Sequence, residues 1–127
     1  MTMTAPSVTR SRAAVERLDA AACLFRGFSD PSRLAILRRL ALGEHRVSDL
    51  TAHLGLAQST VSKHLACLRD CGLVTSRPQG RASLFSLTHP EALEDLFAAA
   101  EGLLGLTGEA VTLCATYGSD ALPADAR

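Results

Sequence analysis

Apolar residues recur along this chain in five stretches at helical spacing, and in one place they alternate as in paired strands. Val15, Leu18, Ala22 and Phe25 predict a first helix over residues 11–26, broken at Gly27. Ser29-Asp30-Pro31 reads as a helix start, a capping side chain followed by proline where its missing N–H goes unmissed. That second helix carries Leu34, Ile36, Leu37 and Leu40 to Gly43, with Arg33, Arg38 and Arg39 assigned to its solvated outer face. Ser48 is read as the cap of a short third helix, 49–54, ended by Gly55. A fourth helix from Gln58 carries Val61, Leu65 and Leu68 inward and stops at Gly72, in the usual place past a helix end. Residues 73–77 and 82–87 alternate like two strands around Pro78-Gln79-Gly80-Arg81, a turn sequence. Pro90 opens a last helix, 91–104, with Leu93, Leu96, Phe97, Ala100, Leu103 and Leu104 as its stripe. Gly105 and Gly108 interrupt it before a brief apolar run at Val111, Leu113 and Cys114.

The chemistry is concentrated on the fourth helix. Helix, glycine turn, helix is the layout of a helix-turn-helix, whose second helix enters the major groove by its N-terminal residues. Gln58, Ser59, Thr60, Ser62, Lys63 and His64 crowd that end with hydrogen-bonding and basic groups that core packing does not require, so they are the DNA-contact candidates. The hairpin that follows is a wing, and Arg77, Gln79 and Arg81 near its tip suit phosphate or minor-groove contact. Expected is a mainly α fold with a β-hairpin wing: residues 11–114 form one winged helix-turn-helix domain between a flexible N-terminus (1–10) and a flexible tail (115–127).

Composition narrows the picture. At 127 residues and 47% hydrophobic, with four Phe, one Tyr and no Trp, the chain builds one modest core from Leu, Ala and Val. Its Ala/Leu-rich C-terminal segment leaves an apolar face that a second copy would cover, so a homodimer is expected. No run has the length or apolarity of a signal core or a membrane span, which places the protein in the cytosol. The net charge of zero conceals an asymmetry: residues 1–81 hold 12 Lys/Arg against 6 Asp/Glu, and residues 82–127 hold 1 against 7. A basic body of this kind suits a nucleic-acid partner. No phosphate loop or nucleophile elbow is present, and His45, His53, His64 and His89 lie scattered without an acid or thiol partner, so no enzyme is expected.

In a cytosolic chain four cysteines are thiols, ligands or core residues rather than a disulfide framework. Cys67 and Cys71 are four apart and so share one helix face, with Arg69 between them to favour thiolates. Their readings are a soft-metal pair, two small core residues, or a redox pair that would have to distort its own helix. Cys23, on the first helix, reads as a small core or interface residue, and whether it joins as a ligand stays open.

The order of elements, with FSDPSRLAILRRL and STVSKHLACLRDCGLV, resembles the ArsR/SmtB family of metal-responsive winged-helix repressors over residues 20–88. The resemblance implies a homodimer joined by its first and last helices. It would hold operator DNA when metal-free and let go when metal binds, derepressing efflux or resistance genes. One family site, C-x-C before the recognition helix, is absent from residues 44–50. A zinc site on the last helix would have Glu91, Glu94, Asp95, Glu101 and His89 but no second histidine. The CmtR-like cadmium/lead type, with C-x3-C on the recognition helix, is matched by Cys67 and Cys71. Its third thiolate comes from the C-terminal region of the other protomer, a role that falls to Cys114, in cis or across the dimer. Cd(II) or Pb(II) is then the inducer, with Zn(II) and As(III) also accepted by such sulfurs. An arsenite- or redox-responsive repressor of the same fold is the alternative.

Overall fold

The apolar periodicity is realised as helices and short strands in the computed structural model, which describes residues 17–114. The start of the first helix and the two segments expected to be flexible, 1–10 and 115–127, lie outside the described residues. In chain order the elements are α1 (17–27 in its described part), α2 (Pro31–Leu40), β1 (His45–Arg46), α3 (Val47–Leu54), α4 (Gln58–Asp70), β2 (Val74–Gln79), β3 (Ala82–Leu87) and α5 (Pro90–Leu106).

Asp30 starts α2 as expected, its Oδ1 accepting from the N–H of Ser32 at 2.7 Å and of Arg33 at 3.2 Å. The start of α3 differs from the expectation. Its N-cap is Arg46 rather than Ser48, and Asp49 reaches back to accept the Arg46 N–H at 3.0 Å. The cause is β1, a two-residue strand that delivers the chain directly into α3 and is too short to show any alternation. With it the sheet has three antiparallel strands in the order β1-β3-β2, instead of a two-stranded hairpin. Its register pairs His45 with Phe85, Arg46 with Leu84, and Val74 to Gln79 with Leu87 back to Ala82. Pro78 is accommodated because β2 is an edge strand, so the turn shortens to Gly80-Arg81, with Gly80 left-handed at φ 62°. α5 runs through Gly102 and Gly105, past its expected end, to Leu106.

Ile36, Leu37 and Leu40 of α2, Leu50 of α3 and Val61, Leu65 and Leu68 of α4 form the centre of the core. Phe85, Leu87, Leu93 and Phe97 close it from the sheet and α5, with Phe28 edge-on to Phe97 at 5.7 Å. The end of α4 is closed by a Schellman motif: Gly72 (φ 78°) donates to the Arg69 carbonyl and Leu73 to the Leu68 carbonyl, both at 2.9 Å. Against that end sits the last turn of α1. A Cβ at Gly27 would lie 2.9 Å from Leu73 Cδ1 and 3.4 Å from Leu68 Cδ2, so the absent side chain is what lets the helices approach.

Leu50 is fully buried where α3 meets the rest of the core. Leu50→Ala is expected to lose about 2–5 kcal/mol of folding stability by urea melting at fixed protomer concentration. An unchanged midpoint would mean that α3 does not depend on this core for its position.

Candidate nucleic-acid interface and thiol site

α4 presents its front end because Val61, Leu65 and Leu68, three and four apart, hold its other face in the core. Gln58, Ser59, Ser62 and Lys63 are exposed and Thr60 is half-buried. The N-cap is Ala57, which has no side chain to cap with, so the first N–H groups of α4 are not satisfied by a capping side chain. Backbone donors, hydroxyls, an amide and one ammonium thus face outward together, a donor-rich surface suited to phosphate and base edges.

His64 is placed differently from the other five candidates. Its side chain is 17% exposed, with Nδ1 3.3 Å from Arg33 Nη1 and Nε2 3.8 Å from Asp30 Oδ1. Arg33 also leaves the solvated face assigned to it: Nη2 donates to the Arg26 carbonyl at 2.8 Å and to Ser29 Oγ at 3.3 Å. Together they stitch the end of α1 and the start of α2 to α4, so His64 sets the position of the helix. The Asp30 carboxyl is held below its ordinary range, first by the Arg33 backbone N–H it caps.

On the wing, Arg77 makes a two-pronged pair with Glu44, Nε to Oε2 at 3.0 Å and Nη2 to Oε1 at 2.9 Å. The Arg77 hydrogen bond keeps the Glu44 carboxyl low. Gln79 Oε1 accepts from Arg46 Nε at 3.1 Å, and Arg81 is exposed at the turn. Arg46 is an exposed cation on this same surface that sequence reasoning missed. Only the β1 pairing puts it beside the wing, and nothing local in the sequence announces that pairing.

The thiols divide into two groups. Cys67 and Cys71 are half-buried at the back of α4, and the half-buried Cys23 of α1 joins them. The Sγ atoms of Cys23 and Cys71 lie 2.6 Å apart, and Cys71 Sγ also donates to the Cys23 carbonyl at 2.9 Å. Burial first, then the Cys23 hydrogen bond and the neighbouring sulfurs, push the Cys71 thiol up to about 12. The cation that opposes this is Arg26 rather than the expected Arg69. Cys114 is elsewhere, 1% exposed, its Sγ 3.6 Å from the Glu94 carbonyl on α5. Glu101 Oε2 accepts both the Leu113 N–H and the Cys114 N–H, the latter at 2.6 Å.

Those N–H bonds, that of Cys114 first, hold the Glu101 carboxyl low, so the latch on residues 113–114 is complete at neutral pH and is lost only as pH falls through the depressed value. Burial, then the Glu101 charge, raises the Cys114 thiol.

The three sulfurs expected to share a metal are therefore not brought together within one protomer. Among the described residues no group of three or more His, Cys, Asp or Glu has metal-holding geometry. What one protomer offers a soft cation is a half-site of two sulfurs one helical turn apart, chemically fitting but short of a full ligand set.

Residues 30–76 match the family described as bacterial regulatory protein, arsR family. Over 88% of this chain and 92% of its own length, the probable mercury resistance operon repressor of Streptomyces lividans is 34% identical. The regulator CmtR of Mycobacterium tuberculosis is 46% identical over 56% of this chain and 60% of its own, so less than two thirds of that protein is spanned. Its NMR structure, described as that of a cadmium metal-sensor, aligns with a TM-score of 0.52 at 41% identity, over 62% of this chain and 85% of that one. The homodimeric winged helix-turn-helix domain Mb0332 of Mycobacterium bovis aligns with a TM-score of 0.65 at 28% identity, over 72% of this chain and 83% of that one. With donor-rich α4, three-stranded wing and matching relatives in agreement, this chain is a winged helix-turn-helix transcriptional regulator belonging to the ArsR family.

Proposed function

We propose that the protein is a homodimeric, metal-responsive repressor of the cytosol that holds operator DNA when metal-free. A thiophilic cation taken up through Cys67 and Cys71 releases it and so derepresses efflux or resistance genes. The observation that carries this reading is that the donor-rich front and the thiol pair belong to one rigid element, α4 and its C-cap. Any shift of its last turn on taking up a cation is passed to the surface that meets DNA. Dimerisation through the first and last helices is supported by Leu18 and Phe25 on α1 and Leu103 and Leu106 on α5, all more than half exposed. No helix among the described residues is long and apolar enough to cross a membrane.

Cd(II) or Pb(II) is the inducer we favour, because sulfur donors select soft ions and the CmtR relative is described as a cadmium sensor. Zn(II) and As(III) suit the same donors, and the mercury-resistance relative makes Hg(II) the first competitor to try. When bound, the cation supplies a cross-link between sulfurs. The chain's own part is to give up thiol protons, above all that of Cys71, so uptake tightens as pH rises. The third sulfur is assigned to Cys114 of the second protomer, which first has to leave its Glu101 latch.

For DNA, Gln58, Ser59, Thr60 and Ser62 are assigned to base edges and positioning. Lys63, Arg77, Gln79 and Arg81 are assigned to backbone or groove contact, with Arg77 exchanging Glu44 for phosphate. His64 acts from behind by fixing α4.

Anaerobic Cd(II) titration followed by sulfur-to-metal absorption tests the site. One tight equivalent per protomer is expected, with intensity lost in Cys67→Ser, Cys71→Ser and Cys114→Ser; no tight site in the wild type would end the metal reading. Glu101→Ala frees the Cys114 segment and is expected to tighten Cd(II) binding by at least about tenfold, because it removes two charge-assisted hydrogen bonds. No change would remove Cys114 from the ligand set. Lys63→Ala should weaken binding to all duplexes and lower the slope of log affinity against log salt by about 1. A preserved slope would show that Lys63 meets no phosphate.

A further inference from the structure

We infer that Cys23 and Cys71 form a reversible disulfide that fastens α1 to the end of α4 while leaving the DNA-facing end of α4 in place, a redox lock on the operator-binding state. The free thiols stand with their sulfurs 2.6 Å apart, roughly half an ångström beyond the disulfide bond length of about 2.05 Å. Two packing features fix that approach. Cys23 is one turn before Gly27 on the same face of α1, and Gly27 sits so close to Leu68 and Leu73 that a side chain there would collide. Cys71 is the C-cap of α4, held by its N–H bond to the Cys67 carbonyl at 3.1 Å and followed by the Schellman turn. Cys23 and Cys71 are both half-buried residues, within reach of a small oxidant, whereas Cys114 is sealed against α5. Cys67 and Cys71, four apart on a regular helix, are poorly placed to bridge each other.

A hydroperoxide supplies the oxidising equivalents. The Cys23 sulfur attacks one peroxide oxygen, the O–O bond breaks, and Cys23 becomes a sulfenic acid while the displaced oxygen takes the Cys23 thiol proton and leaves as an alcohol, or as water from hydrogen peroxide. Cys71, whose proton is held toward the Cys23 carbonyl, then attacks the sulfenic sulfur. The S–S bond forms, and the departing hydroxide takes the Cys71 proton as water. In sum two thiols and one hydroperoxide give one disulfide, one alcohol and one water, and a dithiol reverses it. Because the sulfurs begin so near bonding distance, Gln58 to Lys63 need not move. Where the metal reading above also holds, the lock withdraws one ligand, so the oxidised repressor keeps its operator in the presence of Cd(II).

Trypsin reads the bond directly, since Arg26, Lys63, Arg69 and Arg81 separate the four cysteines into four peptides. The full-length reduced protein is treated with hydrogen peroxide and mapped without reductant, and its operator affinity is measured before and after. Expected are a link between peptides 18–26 and 70–81, lost in Cys23→Ser and Cys71→Ser but kept in Cys67→Ser and Cys114→Ser. Operator affinity should change by less than about fivefold, below the usual range of an allosteric coupling. A different linkage, oxidation without a link, or a larger loss of operator affinity would overturn the lock. Cd(II)-driven release should disappear on oxidation in the wild type and persist in oxidised Cys23→Ser. Failure of the reduced wild type to respond to Cd(II) would count against the metal reading alone, because the peptide map and operator affinity judge the disulfide without it.

Discussion

The close approach of α1 to the end of α4 is the constraint on which the rest of the structure depends. Gly27 leaves room for Leu68 and Leu73, the Schellman turn at Gly72 redirects the chain from α4 into the wing, and Arg33 and His64 brace the same helix from its front half. α4 is thereby held at its middle, at its C-terminal end and along one buried face, which makes it a rigid element of the helix-turn-helix. It also means that chemistry at the back of α4 is chemistry on the element whose front we propose meets the operator.

Opposed demands meet at Cys71. Burial first, and then its hydrogen bond with Cys23, push its thiol up, good for a well-ordered junction and unfavourable for a ligand. A soft metal ion therefore competes with protons and with the α1 contact, and this competition is a physical means of converting binding into displacement. Cys114 poses the same choice, since its backbone is engaged by Glu101 in the described state. On the proposed metal reading, Cys71 and Cys114 are each engaged by another interaction, so the protein would have two discrete arrangements between which the cation selects.

The helix-turn-helix was legible in the sequence because Gln58, Ser59, Ser62 and Lys63 are wrong for a core, and glycines at 55 and 72 punctuate α4 where helix stereochemistry requires them. The wing was legible from alternation. What could not be read were contacts made across long sequence separations: β1 against β3, Arg33 against His64, Glu101 against residues 113–114, and Cys23 against Cys71, 48 positions apart. Each joins residues whose local sequence is unremarkable. The assignment of Cys23 to a bland packing role illustrates this, because small size and helical register are the same whether a cysteine packs on a leucine or on another sulfur.

The most direct test of the central claim is linkage, measured as operator affinity of the reduced dimer with and without one equivalent of Cd(II), alongside Cd(II) affinity with and without operator. Coupling through α4 predicts that both affinities fall by the same factor, roughly tenfold or more. Stoichiometric Cd(II) binding that leaves operator affinity unchanged would contradict the account, because the two ends of α4 would then be chemically adjacent and energetically independent.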